Sequence, residues 1–267
     1  MRLNPRDADI LTDPRYRADL ELALEMAASA AEVALPFFRR GVQTRTKADG
    51  SALTEADLAV ERRLLEMLAA VRPDDAVLSE ENGASGAARR RWILDPIDGT
   101  VPFAAGGEAW GTHVALEEDG ELVLGLITRP VAGKCWWAVR GRGAFRGEIG
   151  SATPTEKLRV PETAEPARPR VMVWAPAETP LDRALRARGC RVETSYDGVL
   201  DLIEGRIDAL ADYISQPWDL APAVLLAEEA GGRFSDWQGG RRLDRTGGLF
   251  GNGGAGVTVR SLAENPV

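Results

Sequence analysis

The chain has 267 residues, 44% of them hydrophobic, which is ordinary for a globular protein and enough for one large core or two closely packed lobes. With 41 acidic against 33 basic residues, a net charge of -8 excludes nonspecific attraction to nucleic acid or anionic membranes, so an anionic ligand needs local positive charge, most simply a metal. The polar start MRLNPRDADI and the lack of any apolar run near 20 residues predict a cytoplasmic protein, and two cysteines without C-x-x-C spacing predict neither disulfide nor zinc site.

In chain order, ADLELALEMAASAAEVALPFF repeats apolar residues at the helical period and stops at Gly41. After the loop KADGS, Thr54 opens a second helix that ends before RPDD. AVLSE and RWILD read as short buried strands, each ending in acid. The strand through RWILD is expected to stop at Leu94 and to present Asp95 at the sheet edge, with Pro96 turning Asp98 back toward it. From Gly111 to Arg140 three strand-like runs, separated by Asp-Gly and Pro-Val-Ala-Gly turns, predict an antiparallel meander. The Pro-rich VPETAEPARPR then separates residues 1-150, a lobe of helix and antiparallel sheet, from residues 151-267, where strands and helices alternate. In this second lobe PWDLAPAVLLAEEAGG reads as an apolar helix with Asp219 in its first turn, ending at Gly231. No internal repeat appears.

Asp95 and Asp98 carry the chemistry most directly. Two converging carboxylates raise one another's pKa unless a cation sits between them, and oxygen ligands suit magnesium, manganese or calcium. The same residues also suit an Asx turn. Glu80, at the end of the preceding strand, would lie beside Asp95 if the two strands are neighbours. Asp219 also suits dipole complementation at a helix start, and Asp57, three residues after Thr54, matches a capping box as well as a catalytic acid. Gly99 and Thr100 can aim backbone N-H groups and a hydroxyl at an anion. His113 alternates with its neighbours in GTHVAL and reads as a structural histidine, Trp136 and Trp137 as cover for the sheet, Arg89 to Arg91 as a solvated turn, and Arg206 as structural.

Taken together, DGSALTEAD, SEE, WILDPIDGT, WWAVRGRGAF and PWDLAPAVLLAEEAGG resemble the inositol monophosphatase family of magnesium-dependent, lithium-sensitive phosphatases, and within it most resemble the bacterial histidinol-phosphate phosphatase branch. The resemblance implies a layered α/β fold, an αβαβα sandwich, with the active site where the two halves meet. It implies that Glu80, Asp95, Asp98 and Asp219, with the carbonyl of Ile97, hold two or three Mg2+ ions, Mn2+ being an alternative. It further implies that Asp57 and Thr100 orient and activate water, that Gly99 and Thr100 N-H groups hold phosphate, and that Asp98 and Asp212 touch the substrate. The expected substrate is a small phosphorylated metabolite, histidinol phosphate slightly ahead of an inositol or cyclitol phosphate, and the expected assembly a homodimer. A bisphosphate phosphatase is the enzymatic rival, and a regulatory binding protein the rival of another class. Ser79 and Pro102 depart from the family's usual Gly and Asn, which puts the shape of the loop VPFAAGGEAWG in question.

Overall fold

The computed structural model describes residues 16-161, 167-195 and 197-264. The polar N-terminal stretch and part of the Pro-rich separator lie outside them. The elements are α1 (Arg17–Arg40), β1 (Arg45–Thr46), β2 (Ala52–Leu53), α2 (Glu55–Val71), β3 (Ala76–Ser79), β4 (Gly83–Ser85), β5 (Arg90–Asp98), α3 (Thr100–Ala104), β6 (Gly111–Glu118), β7 (Glu121–Arg129), β8 (Lys134–Val139), β9 (Gly143–Glu148) and β10 (Pro154–Leu158). They continue with β11 (Arg170–Trp174), α4 (Pro180–Ala187), β12 (Arg191–Glu193), α5 (Gly198–Ile203), β13 (Ala209–Asp212), α6 (Pro217–Glu229), β14 (Arg233–Ser235), β15 (Gly248–Gly251) and α7 (Gly253–Glu264).

An eight-stranded sheet has the order β10-β9-β8-β7-β6-β5-β3-β4, and a five-stranded sheet the order β12-β11-β13-β15-β14. The expected meander is β6-β7-β8, extended by β9 and β10, and all its pairings are antiparallel. In the smaller sheet β11 runs parallel to both β12 and β13.

The layers follow from which faces are apolar. Successive strand residues point to opposite faces, so Trp92 and Leu94 of β5 and Trp137 of β8 pack under α1 and α2, while Ile93 and Trp136 pack against α5 and α6. Strands buried on both faces read as continuous apolar runs, which is why WIL and CWW lack a polar alternation. Helices α5 and α6 fill the space between the two sheets together with Met172, Leu210 and Phe250, and α4 and α7 cover the outer face of the smaller sheet. The result is the five-layer αβαβα sandwich. Both cysteines are buried and free. No described helix is long and apolar enough to cross a membrane.

Two expectations are corrected. Strand β5 does not stop at Leu94 and is not at an edge: it lies between β6 and β3 and runs on to Asp98, with a register irregularity between Asp95 and Asp98. Proline has no N-H for a ladder, and Pro96 falls in that irregularity, beyond the last pairing of β5 with β3 at Ser79-Leu94, so no strand bond is lost. Arg90 and Arg91 are likewise not a solvated turn. They begin β5 half-buried, with Arg90 against Asp19 and Asp75 and Arg91 against Glu117, and only Arg89 is fully exposed, paired with Asp119. Arg206 does behave as a structural residue, bonding Asp201 and Glu204 at the end of α5.

Candidate active site

Three carboxylates and one imidazole meet where the two sheets approach. Asp95 and Asp98 come from the irregular end of β5, His113 from β6 and Asp219 from the first turn of α6, and one ligand atom from each lies within 4.8 Å of all the others. The register explains His113, since its Cα pairs directly with that of Asp95. Asp219 also works as an N-terminal helix acid: its Oδ2 accepts the N-H of Gln216 at 2.7 Å in a capping box. Structural and chemical readings of this residue therefore coexist.

Glu80 adjoins Asp95, held by strand pairing, because its N-H donates to Leu94 O at 3.1 Å. Its carboxylate accepts from Lys47 Nζ at 2.7 Å, and Glu81 accepts from the same ammonium at 2.8 Å. Asp57 receives three bonds: the Thr54 N-H at 2.8 Å, the Thr54 hydroxyl at 2.5 Å and the Thr100 hydroxyl at 3.2 Å. Thr100 Oγ1 is also 3.1 Å from the Ile97 carbonyl, so one proton is shared between two acceptors. Asp212, ending β13, turns Oδ1 toward the N-H groups of Ile214 and Ser215 at 2.9 and 3.0 Å.

The electrostatics are those of crowded buried acids. Burial is the largest cause raising Asp95 well above the usual carboxylate range, reinforced by the charges of Glu80, Asp219 and Asp98. Burial, then the charge of Asp98, pushes Asp219 up to about 8. Burial also raises Glu80 against the opposing pull of Lys47, and lifts Glu81 to about 7. Asp57 and Asp212 are raised by burial as well, with their hydrogen bonds acting in the opposite direction. Asp98 is the exception: burial would raise it, but His113 and Arg129 hold it below the ordinary value.

A cation fits this arrangement. Asp95 Oδ1 is buried without a hydrogen-bond partner, an uncompensated acceptor that a metal would satisfy. The donor set is mostly oxygen, which suits magnesium, manganese or calcium.

Two cavities share Asp98 and Asp219. One is lined by Glu80, Asp95, Ile97, Gly99 and Thr100 together with Gln216 and Trp218. The other is lined by His113, Arg129, Asp197 and Asp212 among apolar side chains. The wall between them is the acid cluster itself. Gly99 links β5 to α3 with φ +82, and a Cβ there would sit 2.7 Å from Ala109 O. Gly99→Ala is therefore expected to lower stability by about 1–3 kcal/mol, through left-handed strain plus the clash. Urea unfolding checks this, and a cost below about 0.5 kcal/mol would show that the turn relaxes freely.

The structure thus brings together Asp95, Asp98 and Asp219, sets Glu80 beside Asp95, joins Asp57 to Thr100 and Ile97, and places Gly99 on one side and Asp212 on the other. His113 is buried, as an interior histidine should be, and it faces the acids, with Nε2 3.3 Å from Asp98 Oδ2. Sequence reasoning missed Lys47, Arg129 and Asp197. Lys47 lies just past β1 in a hairpin read as loop, and nothing in the segment QTRTKADG marks it out from Arg45. Arg129 and Asp197 are 68 positions apart, and nothing local marks them.

A model of the inositol monophosphatase family matches residues 13–264. A Streptomyces griseus protein named glucose-1-phosphate thymidylyltransferase is 50% identical over 234 residues, covering 85% of this chain and 89% of the relative. A histidinol-phosphatase of Mycobacterium tuberculosis is 35% identical over 264 residues, covering 93% and 96%. Among solved structures, an inositol monophosphatase from Zymomonas mobilis superposes with a TM-score of 0.78 at 28% identity, covering 94% of this chain and 99% of that one.

Proposed function

The chain belongs to the inositol monophosphatase family and is a phosphatase, and from that premise we propose that it hydrolyses a small phosphate monoester in a divalent-metal-dependent reaction. The observation that carries this reading is the acid cluster: three carboxylates and an imidazole within 4.8 Å, with one buried carboxylate oxygen lacking a partner. Glu80, Asp95, Asp98 and Asp219, with the Ile97 carbonyl, would hold two or three Mg2+ ions, or Mn2+ in their place. When bound, such ions supply positive charge for the phosphate and acidify water, so that little else is needed for in-line displacement.

The protein's own groups have defined tasks. The Thr100 O-H donates toward Asp57 and Ile97 O, which leaves its oxygen lone pairs to accept from the attacking water. Asp57, raised by burial, is poised to draw proton density from Thr100 as water attacks. The N-H groups of Gly99 and Thr100 have no acceptor within the first turn of α3 and point their dipoles at the phosphate oxygens. Asp212 binds the departing alcohol. For the alcohol, histidinol stands slightly ahead of inositol or another cyclitol. Lithium inhibition, a homodimeric assembly and a cytoplasmic setting belong to the same reading.

The bisphosphate alternative is weaker on charge grounds. Among the described residues lining the two cavities, Arg129 is the sole lysine or arginine, and it is already paired with Asp197. A second phosphate would meet Asp197 and Asp212 rather than free cations. The same argument disfavours the triphosphate needed for thymidylyl transfer, the activity in the name of the Streptomyces griseus relative. The deciding experiment measures phosphate release from histidinol phosphate, inositol 1-phosphate, glucose 1-phosphate, fructose 1,6-bisphosphate and adenosine 3',5'-bisphosphate, with magnesium or with EDTA, and tests glucose 1-phosphate with dTTP separately. Magnesium-dependent turnover of a monoester is expected, histidinol phosphate foremost. No release from any ester would shift the reading to the regulatory binding protein, and nucleotidyl transfer from dTTP would replace it.

A further inference from the structure

The cavity behind Asp98 and Asp219 has an apolar wall that includes Ile127, Leu210 and Phe250, facing the acids of the site. Three polar side chains there call for an explanation: Arg129, Asp197 and His113. Arg129 ends β7 and is 7% exposed. A buried guanidinium is stable only when its donors are used, and here Nε donates to Asp197 Oδ1 at 2.8 Å and Nη1 to Thr128 O at 2.9 Å. Its Nη2 stands 3.6 Å from Asp98 Oδ2. One side chain thus ties the strand layer that carries Asp98 to the turn that opens α5. The approach depends on Gly111, where a Cβ would lie 2.9 Å from Arg129 Nη1 and 1.8 Å from Thr128 O.

Arg129 takes one oxygen of Asp197. The Asp197 side chain is 35% exposed, and among the described residues no hydrogen bond reaches its other oxygen. Across the cavity His113 keeps Nδ1 buried without a hydrogen-bond partner, while its Nε2 faces Asp98 Oδ2 at 3.3 Å. A cavity with one apolar wall that keeps an open carboxylate oxygen and an unpartnered imidazole nitrogen is arranged for a ligand that supplies the missing partners.

Building on the monoesterase reading, we infer that this cavity recognises the leaving alcohol: Arg129 positions Asp197 so that its second oxygen accepts a hydrogen bond from a hydroxyl or ammonium on the alcohol. The substrate class is then a phosphate monoester whose alcohol carries a hydrogen-bond donor, and a plain hydrocarbon ester is a poor substrate. Asp197 is the contact, Arg129 the positioning residue. Since the guanidinium is matched by Asp197, the site accepts polar alcohols without attracting a second anion.

Steady-state kinetics of the full-length, magnesium-loaded protein test this with histidinol phosphate as the ammonium ester, inositol 1-phosphate as the hydroxyl ester and phenyl phosphate as the ester without a donor. Asp197→Asn turns an acceptor into a donor and is expected to lose at least about tenfold more kcat/KM on one or both donor esters than on phenyl phosphate, chiefly through KM. Which donor ester suffers identifies the donor. Arg129→Lys, which keeps a cation near Asp98 and Asp197 but loses the planar fork that orients Asp197, should show a weaker form of the same pattern. Equal losses on all three esters, or no loss on any, overturn the inference while leaving the monoesterase reading intact. Failure of the unaltered protein to hydrolyse any of the three removes both.

Discussion

Replacing Asp95 with asparagine is expected to abolish phosphate release while making the metal-free protein more stable. The two effects have one cause. Asp95 is 2% exposed, interacts with Glu80 and Asp219, and leaves Oδ1 without a hydrogen-bond partner. In mild acid burial already keeps Asp95 protonated and neutral, so asparagine changes little there. At alkaline pH, where that proton is lost, asparagine carries no charge and offers an amide N-H to its carboxylate neighbours, so the repulsion falls and the stabilisation appears. Satisfying one buried polar group stabilises by about 1–3 kcal/mol, a rise in melting temperature of roughly 2–4 °C per kcal/mol for a chain of this size. The same change removes a charge and a lone-pair donor from the ion site, and turnover should fall by more than about a hundredfold, the upper end of the loss seen when only an outer partner of a metal ligand is altered. Differential scanning calorimetry in EDTA at alkaline pH and phosphate release in magnesium measure the two effects on one preparation. A variant that is more stable and still turns over at the normal rate would show that Asp95 is not part of the ion site.

How far the sequence foretells this arrangement depends on what fixes each residue. Asp95, Asp98, Gly99 and Thr100 are carried by one short segment with a proline and a left-handed glycine, so their convergence is local and legible. Asp57 and Asp219 are legible for another reason: each sits at N3 of a helix, where the capping box marks both the helix start and the acid. The five-layer order follows from the apolar runs, because strands buried on both faces and an apolar α6 must be covered from both sides. What the sequence does not show is register. His113 reaches the acids only because β6 pairs with β5 so that it stands opposite Asp95, and a shift by one residue would turn it to the opposite face of the sheet. Arg129 ends a strand of the larger sheet and Asp197 caps α5 in the next layer, and the two meet through packing of whole layers, which no periodicity records. The continuation of β5 past Pro96 is hidden for a related reason, since whether a proline ends a strand depends on what its neighbour strand is doing there.

Metal-free protein should lose stability as pH rises from about 4 to about 8, and magnesium should restore it increasingly over the same range. Asp219 titrates near 8 in the folded protein against an unfolded value near 3.8, and Asp95 is raised as well. A raised acid binds more protons in the folded than in the unfolded chain between those two values. The stability it contributes is therefore fully present below about pH 4 and is lost by about pH 8. For Asp219 alone a rise from 3.8 to about 8 corresponds to on the order of 5 kcal/mol, a large share of the stability of a typical domain, and Asp95 adds in the same direction. Asp98 has the opposite sign: held low by His113 and Arg129 against its burial, it stabilises above the unfolded pKa and gives that up as acid is added. The two trends leave the metal-free protein most stable in mild acid. A divalent cation must displace the protons on Asp95 and Asp219, so its stabilisation, set by its affinity for the folded form, is small near pH 5 and large near pH 8. Thermal unfolding in EDTA and in millimolar magnesium at both pH values measures the difference, and Asp219→Asn should flatten the metal-free pH profile. If the metal-free protein is equally stable at both values and magnesium shifts unfolding equally, the acids hold no extra protons. The cation would then neutralise charge already present, not replace protons.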